Sequence, residues 1–587
     1  MLNLLASALL GFGASLAFTV LAEHVAPRLG ALAQPAADRW NRRRVPLLGG
    51  PAIAAAILLG APGVPVHEPG LWILLGGALV MLGVGLVDDL RPLKPQTKFI
   101  AQVLVAAALA SLGLQLRLTP FPFLNVLLTL VWIVGITNAF NLLDNMDGLA
   151  AGVAAITLSF RLGFFLIDGN AEGAEFAALA VGALLGFLVF NFHPASIFMG
   201  DAGSLFIGVL VSGLSLIPGW PYTRGTASVL LFPVLILLVP IFDTAFVTIA
   251  RVVAGRSVAV GGRDHSSHRL VALGLSEREA VVALYVVSAI AGTVAALSYR
   301  YRLSYGVVLI AFLVIGVVLF GVYLGRFKVY PEEDAPITAD SRFVTLIANF
   351  SYKRQVATIA MDLALIVLAY YSAYLLRFEE RLIEQQARFV ESLPLLILCQ
   401  MGALAVFRVY QGVWRYTSLH DLVALSKATA VGVLLSALAV LAVFRFEGYS
   451  RSVFVLDWLL LVVYIVASRL FFRGLAEFVR PARGAEPVVI YGAGDGGVLV
   501  LRELRNNLDL GRRVVAFLDD DPSKRASTIQ GVPVIGGLDA LGDAIDAHAV
   551  REVVVSTEKI SDERLAELTA ACGAVGVSVV RASLRFE

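Results

Sequence analysis

Four polar clusters interrupt the long apolar runs in the first half of this 587-residue chain. Asp88 and Asp89 close the apolar run Leu71–Val87. Adjacent carboxylates at a membrane edge repel one another, so a cation is the natural reason to keep them together; the plain alternative is a solvated helix end. Asn138, Asn141, Asp144 and Asp147 recur every three residues, so consecutive pairs share a helix face and can act on one ligand. Gly148 permits a bend after them, and capping or turn roles would explain one or two of these groups but not four. Phe198-Met199-Gly200-Asp201-Ala202-Gly203-Ser204 opens a helix. Its small residues admit close backbone approach, its free N–H groups favour phosphate, and Asp201 either holds Mg²⁺ or serves as a simple N-cap.

The fourth cluster, Arg263-Asp264-His265-Ser266-Ser267-His268-Arg269, offers two guanidiniums and two imidazoles suited to a diphosphate. No Cys accompanies the histidines, which argues against zinc. Asn191 sits among aromatic residues in Phe190-Asn191-Phe192-His193-Pro194. Asp243, inside an apolar span, is a functional group by default, with helix–helix bonding as its rival. Lys98 could reach a phosphate or snorkel to the interface. Four such clusters, rich in carboxylates and poor in zinc ligands, point to Mg²⁺-assisted phosphoryl chemistry.

The elements that must position them are membrane helices. Hydrophobic residues make up 58% of the chain and charged residues 15%, with mean hydropathy +0.82, which marks a polytopic membrane protein. With a span needing roughly 20 apolar residues, helices are expected near 2–22, 47–61, 71–87, 99–116, 123–140, 150–167, 174–190, 203–218, 228–250, 279–298 and 304–324. Four more follow near 355–376, 391–409, 422–444 and 453–472, giving about 11 + 4 transmembrane helices. The first run has no basic residue before it and no cleavage site, so it reads as a helix rather than a removable signal. Arg28, Arg39, Arg42, Arg43 and Arg44, then Arg91 and Lys94, then Arg251, Arg256, Arg263 and Arg269 fall in alternate loops. The positive-inside rule then sets all four clusters on the cytoplasmic side of the cell membrane. A net charge of +2 says nothing about partners, and no nucleic acid is expected. The two cysteines, Cys399 and Cys572, imply no disulfide framework.

Four domains follow: a membrane domain at 1–325, a polar linker at 326–350, a four-helix membrane domain at 351–484 and a cytoplasmic α/β domain at 485–587. In the last, the strand Val488–Tyr491 runs into Gly492-Ala493-Gly494-Asp495-Gly496-Gly497, and Val514–Leu518 runs into Asp519-Asp520-Asp521. Gly492, Gly494 and Gly497 fit a dinucleotide-type fingerprint with Asp519 at a suitable distance, although glycines also serve strand–helix packing.

Val87-Asp88-Asp89, the stretch Asn138–Leu149, Phe198–Ser204 and Arg263–Leu270 resemble the polyprenyl-phosphate N-acetylhexosamine-1-phosphate transferase family over about residues 1–325. Arg42-Arg43-Arg44-Val45-Pro46 with Gly49-Gly50 is similar to that family's first cytoplasmic loop. The resemblance implies an eleven-span homodimeric enzyme that moves a sugar 1-phosphate, here most simply GlcNAc 1-phosphate, from a UDP-sugar to undecaprenyl phosphate. UMP is released, and the lipid-diphosphate sugar begins a cell-envelope glycan. It further implies catalytic roles for Asp88, Asp89, Asp144 and Asp147, and Mg²⁺ (with Mn²⁺ as a substitute) on Asp201 and Asp89. Substrate contacts would fall to Lys98, Asn138, Asn141, Asn191, Asp243, Arg263, His265, His268 and Arg269. Ser266-Ser267 depart from the family loop, which often has a third histidine; that bears on sugar selectivity.

Residues 350–587 resemble the front half of membrane-bound nucleotide-sugar dehydratases, four spans and a small Rossmann-like domain. No Tyr follows Tyr491, so the catalytic half of those enzymes is absent. A nucleotide or nucleotide sugar is the expected ligand of Gly492, Gly494, Gly497 and Asp519. Two other classes stay in view. An ion-coupled transporter would use Asp243 and needs paired discontinuous helices near mid-membrane, and a scaffold would recruit glycan enzymes through the C-terminal module.

Overall fold

The computed structural model describes residues 1–33, 44–64, 68–217, 227–253, 262, 264–300, 303–325, 353–407, 409, 419–478, 486–506, 510–556 and 560–582. The expected linker, and Arg42, Arg43 and Arg263, lie outside them. The chain divides into two compact units, Met1–Val479 and Arg480–Glu587.

The first unit is helical: α1 (Leu2–Leu29), α2 (Gly49–Gly60), α3 (Pro69–Leu90), α4 (Pro95–Ser111), α5 (Pro122–Leu143), α6 (Leu149–Ile167) and α7 (Ala171–Asn191). It continues through α8 (Gly200–Leu214), α9 (Ala227–Ile236), α10 (Leu238–Val253), α11 (Ser266–Ala272), α12 (Glu277–Arg300) and α13 (Leu303–Leu324). A further block holds α14 (Lys353–Phe378), α15 (Gln386–Val406), α16 (Leu419–Phe444) and α17 (Arg451–Phe478). Among the described residues, 11 helices are long and apolar enough to cross a membrane, or 12 if one bent pair counts as a span.

Four expected spans differ from this count. The expected span at 47–61 is the short apolar stretch Gly49–Gly63, and the one at 99–116 is the 17-residue α4, which begins four residues earlier at Pro95. That at 228–250 breaks into α9 and α10 with a 78° bend. Pro240 explains the break: it has no N–H to give Ile236, whereas in the first turn of α10 that N–H would lack an intrahelical partner anyway.

The span expected at 203–218 is α8, a 15-residue helix. At about 1.5 Å per residue it is roughly 22 Å long, short of the roughly 30 Å hydrocarbon core. Its ends must therefore find partners inside the protein, because lipid offers none. At its start the Asp89 carboxylate accepts from the backbone N–H of Asp201 at 2.9 Å and of Ala202 at 3.0 Å. At its end Arg161, 1% exposed, donates from Nε to Leu214 O at 2.9 Å and from a terminal nitrogen to Ile217 O at 2.7 Å. An anion at the N-terminus and a cation at the C-terminus both complement the helix dipole.

Small residues let the backbones close around this helix. A Cβ on Gly85 of α3 would lie 2.4 Å from Asp201 O, and one on Gly50 of α2 would lie 2.2 Å from Gly203 N. The same device seats α1 on α7, where a Cβ on Gly182 would lie 2.0 Å from Ala8 O.

The second unit is a six-stranded sheet in the order β5-β6-β4-β3-β7-β8. It comprises β3 (Glu486–Tyr491), β4 (Arg512–Leu518), β5 (Thr528–Ile529), β6 (Val532–Gly536), β7 (Glu552–Val555) and β8 (Ser578–Arg581). The two-residue strands β1 (Leu32–Ala33) and β2 (Val45–Pro46) pair separately in the first unit. All pairings in the second unit are parallel except β5 with β6. Three helices, α18 (Asp495–Asn506), α19 (Leu541–His548) and α20 (Asp562–Ala574), complete the α/β unit. Strand order reverses at β3, which is flanked by β4 and β7 and thus forms the switch point of a doubly wound sheet.

Candidate active site

Lys98, in the first turn of α4, extends its ammonium between two carboxylates from distant parts of the chain. Its Nζ lies 2.8 Å from Asp88 Oδ2 and 2.8 Å from Asp201 Oδ2. Asp201 offers its other oxygen to Asn141 of α5, whose Nδ2 donates to Oδ1 at 3.1 Å and to Ser204 Oγ at 2.9 Å. Asp88 is held in turn by the Leu93 N–H at 2.6 Å. The ends of α3 and α5 and the starts of α4 and α8 therefore meet at one point. Asp201 is not the N-cap of α8; that position is Met199.

Gly200 makes this junction possible. It adopts φ +67°, and a Cβ there would lie 2.4 Å from Asp89 Oδ2. The expected first loop joins the same junction: Gly49 N–H donates to Phe198 O at 3.0 Å, Gly50 N–H to Met199 O at 3.0 Å, and Phe198 N–H to Pro46 O at 2.8 Å.

The Asn138–Gly148 stretch divides its duties. Asn138 is bonded to Gln102 of α4, as described below. Asp144 closes α5, three residues past Asn141. Asp147 turns to another partner set: His193 Nδ1 at 3.0 Å and the Ala195 N–H at 3.0 Å. Glu277 Oε2 also approaches His193 Nδ1, at 3.2 Å. Asn191 accepts from the Gly148 N–H at 3.0 Å and donates to Ile197 O at 2.9 Å, so it pins the bend at Gly148 (φ +78°) to the loop before α8.

The histidine loop is fastened by buried polar contacts. Asp243, 1% exposed, accepts from His265 Nδ1 at 2.7 Å, from the Ser266 N–H at 2.8 Å and from Ser266 Oγ at 2.6 Å. Ser267 Oγ donates to Asn145 Oδ1 at 2.6 Å, tying this loop to the Asn138–Gly148 stretch. Ser266 and Ser267, the two departures from the expected loop, are thus its fasteners. Arg269 donates to Asp264 O and Leu324 O, both at 3.1 Å, with its guanidinium 5.1 Å from the Phe246 ring. The rings of His265 and His268 are 6.1 Å apart.

Sequence reasoning did not single out Gln102, Asn145 or Glu277, and it named Ser204, His193, Ser266 and Ser267 only within their motifs, without these partners. Gln102 carried one signal, a polar residue one turn from Lys98 on an apolar helix.

Residues 71–219 match glycosyl transferase family 4, and residues 406–581 match a CoA-binding domain family. The chain is 36% identical to a probable undecaprenyl-phosphate N-acetylglucosaminyl 1-phosphate transferase of Bacillus subtilis over 46% of its own length and 78% of that protein. The chain belongs to glycosyl transferase family 4. Family 4 relatives also include a decaprenyl-phosphate N-acetylglucosaminephosphotransferase of Mycobacterium tuberculosis, 32% identical over 53% of this chain and 86% of the relative. A phospho-N-acetylmuramoyl-pentapeptide-transferase of Limosilactobacillus fermentum is 41% identical over 21% of this chain and 41% of its own length. The resemblance expected for residues 1–325 thus holds, and Asp88, Lys98, Asn141 and Asp201 all lie inside the matched segment 71–219.

In the C-terminal unit the fingerprint glycines have separate tasks. Gly492 takes φ +108° at the strand end, and a Cβ on Gly497 would lie 2.0 Å from Gly492 O. Gly494 has nothing within 4 Å of a Cβ position. Asp519 accepts from the Ala493 N–H at 2.7 Å and from Lys524 Nζ at 2.9 Å.

Proposed function

We propose that the chain transfers GlcNAc 1-phosphate from UDP-GlcNAc to a polyprenyl phosphate, releasing UMP and making the lipid-diphosphate sugar from which a cell-envelope glycan is built. The observation that carries this reading is the Lys98 ammonium, equidistant from Asp88 and Asp201 at 2.8 Å. The names of the family 4 relatives support the substrate class. An oxygen of the lipid phosphate attacks the β-phosphorus of the UDP-sugar; the new P–O bond forms as the bond from that phosphorus to the bridging oxygen breaks, and the pair leaves with UMP.

Mg²⁺ fits the donors at this junction. Asp88 Oδ2 and Asp201 Oδ2 already share one cation, the Lys98 ammonium, and carboxylate oxygens are the ligands Mg²⁺ prefers. Asp201, with Asn141 beside it, would hold the ion, which when bound neutralises the pyrophosphate charge. Lys98, released from Asp201, would hold the lipid phosphate while Asp88 keeps the ammonium aligned. Asp89 keeps α8 in place. The loop from His265 to Arg269, braced by Asp243 and Asn145, would meet the donor's diphosphate. The cytoplasmic side suits all of these groups, because UDP-sugars are made there.

A panel of UDP-sugars, scored by UMP release with undecaprenyl phosphate and with or without Mg²⁺, tests the reading. It expects Mg²⁺-dependent UMP release from UDP-GlcNAc, and release from none of the panel would overturn it.

For the C-terminal unit we propose a nucleotide ligand over Gly494. Support comes from the open space there, the switch point at β3, and Asp519 at the end of β4. An acidic residue at that place favours a ribose with free hydroxyls. Saturable binding of CoA to the full chain, lost in Gly494→Val, is the expected result; equal binding by both proteins would contradict it.

A further inference from the structure

Four residues in the α4–α5 hairpin form two layers. In the layer nearer the helix ends, Lys98 and Asn141 each bond one oxygen of Asp201. One turn deeper, Gln102 of α4 faces Asn138 of α5. Asn138 Nδ2 donates to Gln102 Oε1 at 2.7 Å, and Gln102 Nε2 donates to Asn138 Oδ1 at 3.3 Å, so the two amides answer each other. The second N–H of Asn138 donates to Val134 O at 2.9 Å. Both of its amide protons are therefore engaged within the protein, and Gln102 is only 4% exposed.

The spacing gives this pair a consequence. Lys98 and Gln102 are one turn apart on α4, and Asn138 and Asn141 are three residues apart on α5, so each helix carries one member of both layers on one face. Gln102 is buried and Asn138 half-buried, so losing the partner leaves the buried amide of Gln102 unsatisfied. Sliding or rotating α4 against α5 would break it, and the same motion would pull Lys98 and Asn141 off the two oxygens of Asp201.

We infer that Gln102 and Asn138 act as positioning residues, an amide clamp that fixes α4 against α5 so that Asn141 holds Asp201 aligned for the metal and Lys98 stands ready for the lipid phosphate. Asn138, expected from the sequence to touch substrate, then acts through Asn141 instead. The inference rests on the transferase reading for its kinetic consequences, though not for its effect on metal binding.

The test compares wild type with Gln102→Leu, Gln102→Asn and the exchanged pair Gln102→Asn/Asn138→Gln, which keeps one long and one short amide. Misplacement by about 1 Å can cost about 100-fold in rate. The expected result is a fall of that order in kcat for both single variants, a higher Mg²⁺ concentration for half-maximal rate, an unchanged KM for UDP-GlcNAc, and recovery of most of kcat in the exchanged pair. A wild-type rate in Gln102→Leu overturns the inference. So does an exchanged pair as slow as the single variants, or a raised KM with normal kcat, which would place Asn138 on the donor.

A second readout needs no turnover: the Mg²⁺-induced rise in melting temperature of the ligand-free protein. The clamp predicts a rise in wild type and the exchanged pair and a smaller one in Gln102→Asn, whereas equal rises in all three contradict it. Should wild type transfer nothing from any UDP-sugar, the transferase reading fails by itself and this thermal comparison still decides the clamp. Gln102→Asn retains an amide, so the comparison survives if Gln102→Leu does not fold.

Discussion

Asp89 accepts the backbone N–H of Asp201 at 2.9 Å across 112 positions of sequence. The second carboxylate of the Asp88-Asp89 pair is thus the cap of the helix that carries Asp201, while the first faces Lys98. Two adjacent acids have two different tasks: Asp88 shapes the charge of the site and Asp89 fixes where α8 begins.

Removing that cap should show first in stability. Asp89→Ala leaves the N–H groups of Asp201 and Ala202 without their acceptor and should cost about 2 kcal/mol, the upper end for a helix cap. Asp89→Asn, which keeps one acceptor oxygen, should lose less. Thermal melting of the purified variants checks the order, and wild-type melting of Asp89→Ala would contradict it.

On the proposed reading, Lys98 and Mg²⁺ would compete for Asp201, whose Oδ2 the ammonium already holds at 2.8 Å. Lys98→Met should therefore lower the Mg²⁺ concentration needed for half-maximal binding. It should also reduce kcat by about 10²–10³-fold, the usual loss when a charge-stabilising donor is removed from a reacting phosphate or oxyanion. A Mg²⁺ titration followed by turnover measurements separates the two effects, and weaker metal binding would show that Lys98 is not a rival cation.

Asp243 braces the histidine loop from inside the protein. In Asp243→Asn the side-chain amide can no longer accept all three bonds, and breaking a buried charged contact costs about 3 kcal/mol or more. The KM for UDP-GlcNAc should rise while the Mg²⁺ dependence stays near wild type. A shifted Mg²⁺ dependence with normal KM would mean that the loop serves the metal instead. The sole bent helix pair among the described residues thus turns its acid inward to a loop of the same chain, unlike an open ion site of a transporter.

Acid should loosen the C-terminal unit. Partial burial raises the Asp519 carboxyl, yet Lys524 and the N–H groups of Asp521 and Ala493 outweigh it and hold it below the usual carboxylate range. Arg564 does the same for Asp520, against a smaller effect of burial. A carboxyl whose folded pKa is depressed contributes its stability above the unfolded value of about 3.9, and loses it as pH falls through the folded value. Hydrogen-exchange protection of β3 and β4, corrected for intrinsic exchange, should fall as pH drops below about 4. In Asp519→Asn/Asp520→Asn it should be lower at neutral pH and change less with acid; an identical acid profile would contradict the assignment.

Much of the site was legible because polar groups in apolar helices are costly and so carry meaning. Asp88, Lys98, Asn141 and Asp201 stood out on that ground, and they meet. What the sequence hides is length and partnership. Nothing local to 200–214 says that this apolar run stops short of a full span, because its two caps, Asp89 and Arg161, come from other helices. The bend before Pro240 is readable only in retrospect, since Pro233 in the same apolar run lies within α9. Asn138 looked like a substrate ligand because its partner Gln102 lies 36 positions away. Asp147 likewise finds His193 only in three dimensions.

Transfer of UDP-GlcNAc carrying ³²P in its β-phosphate tests the central claim most directly. With undecaprenyl phosphate and Mg²⁺, wild type should move the label into the lipid fraction as unlabelled UMP appears in water, and Asp201→Asn should do neither. Label remaining in water as UDP while the sugar reaches the lipid, or full transfer by Asp201→Asn, would contradict the account.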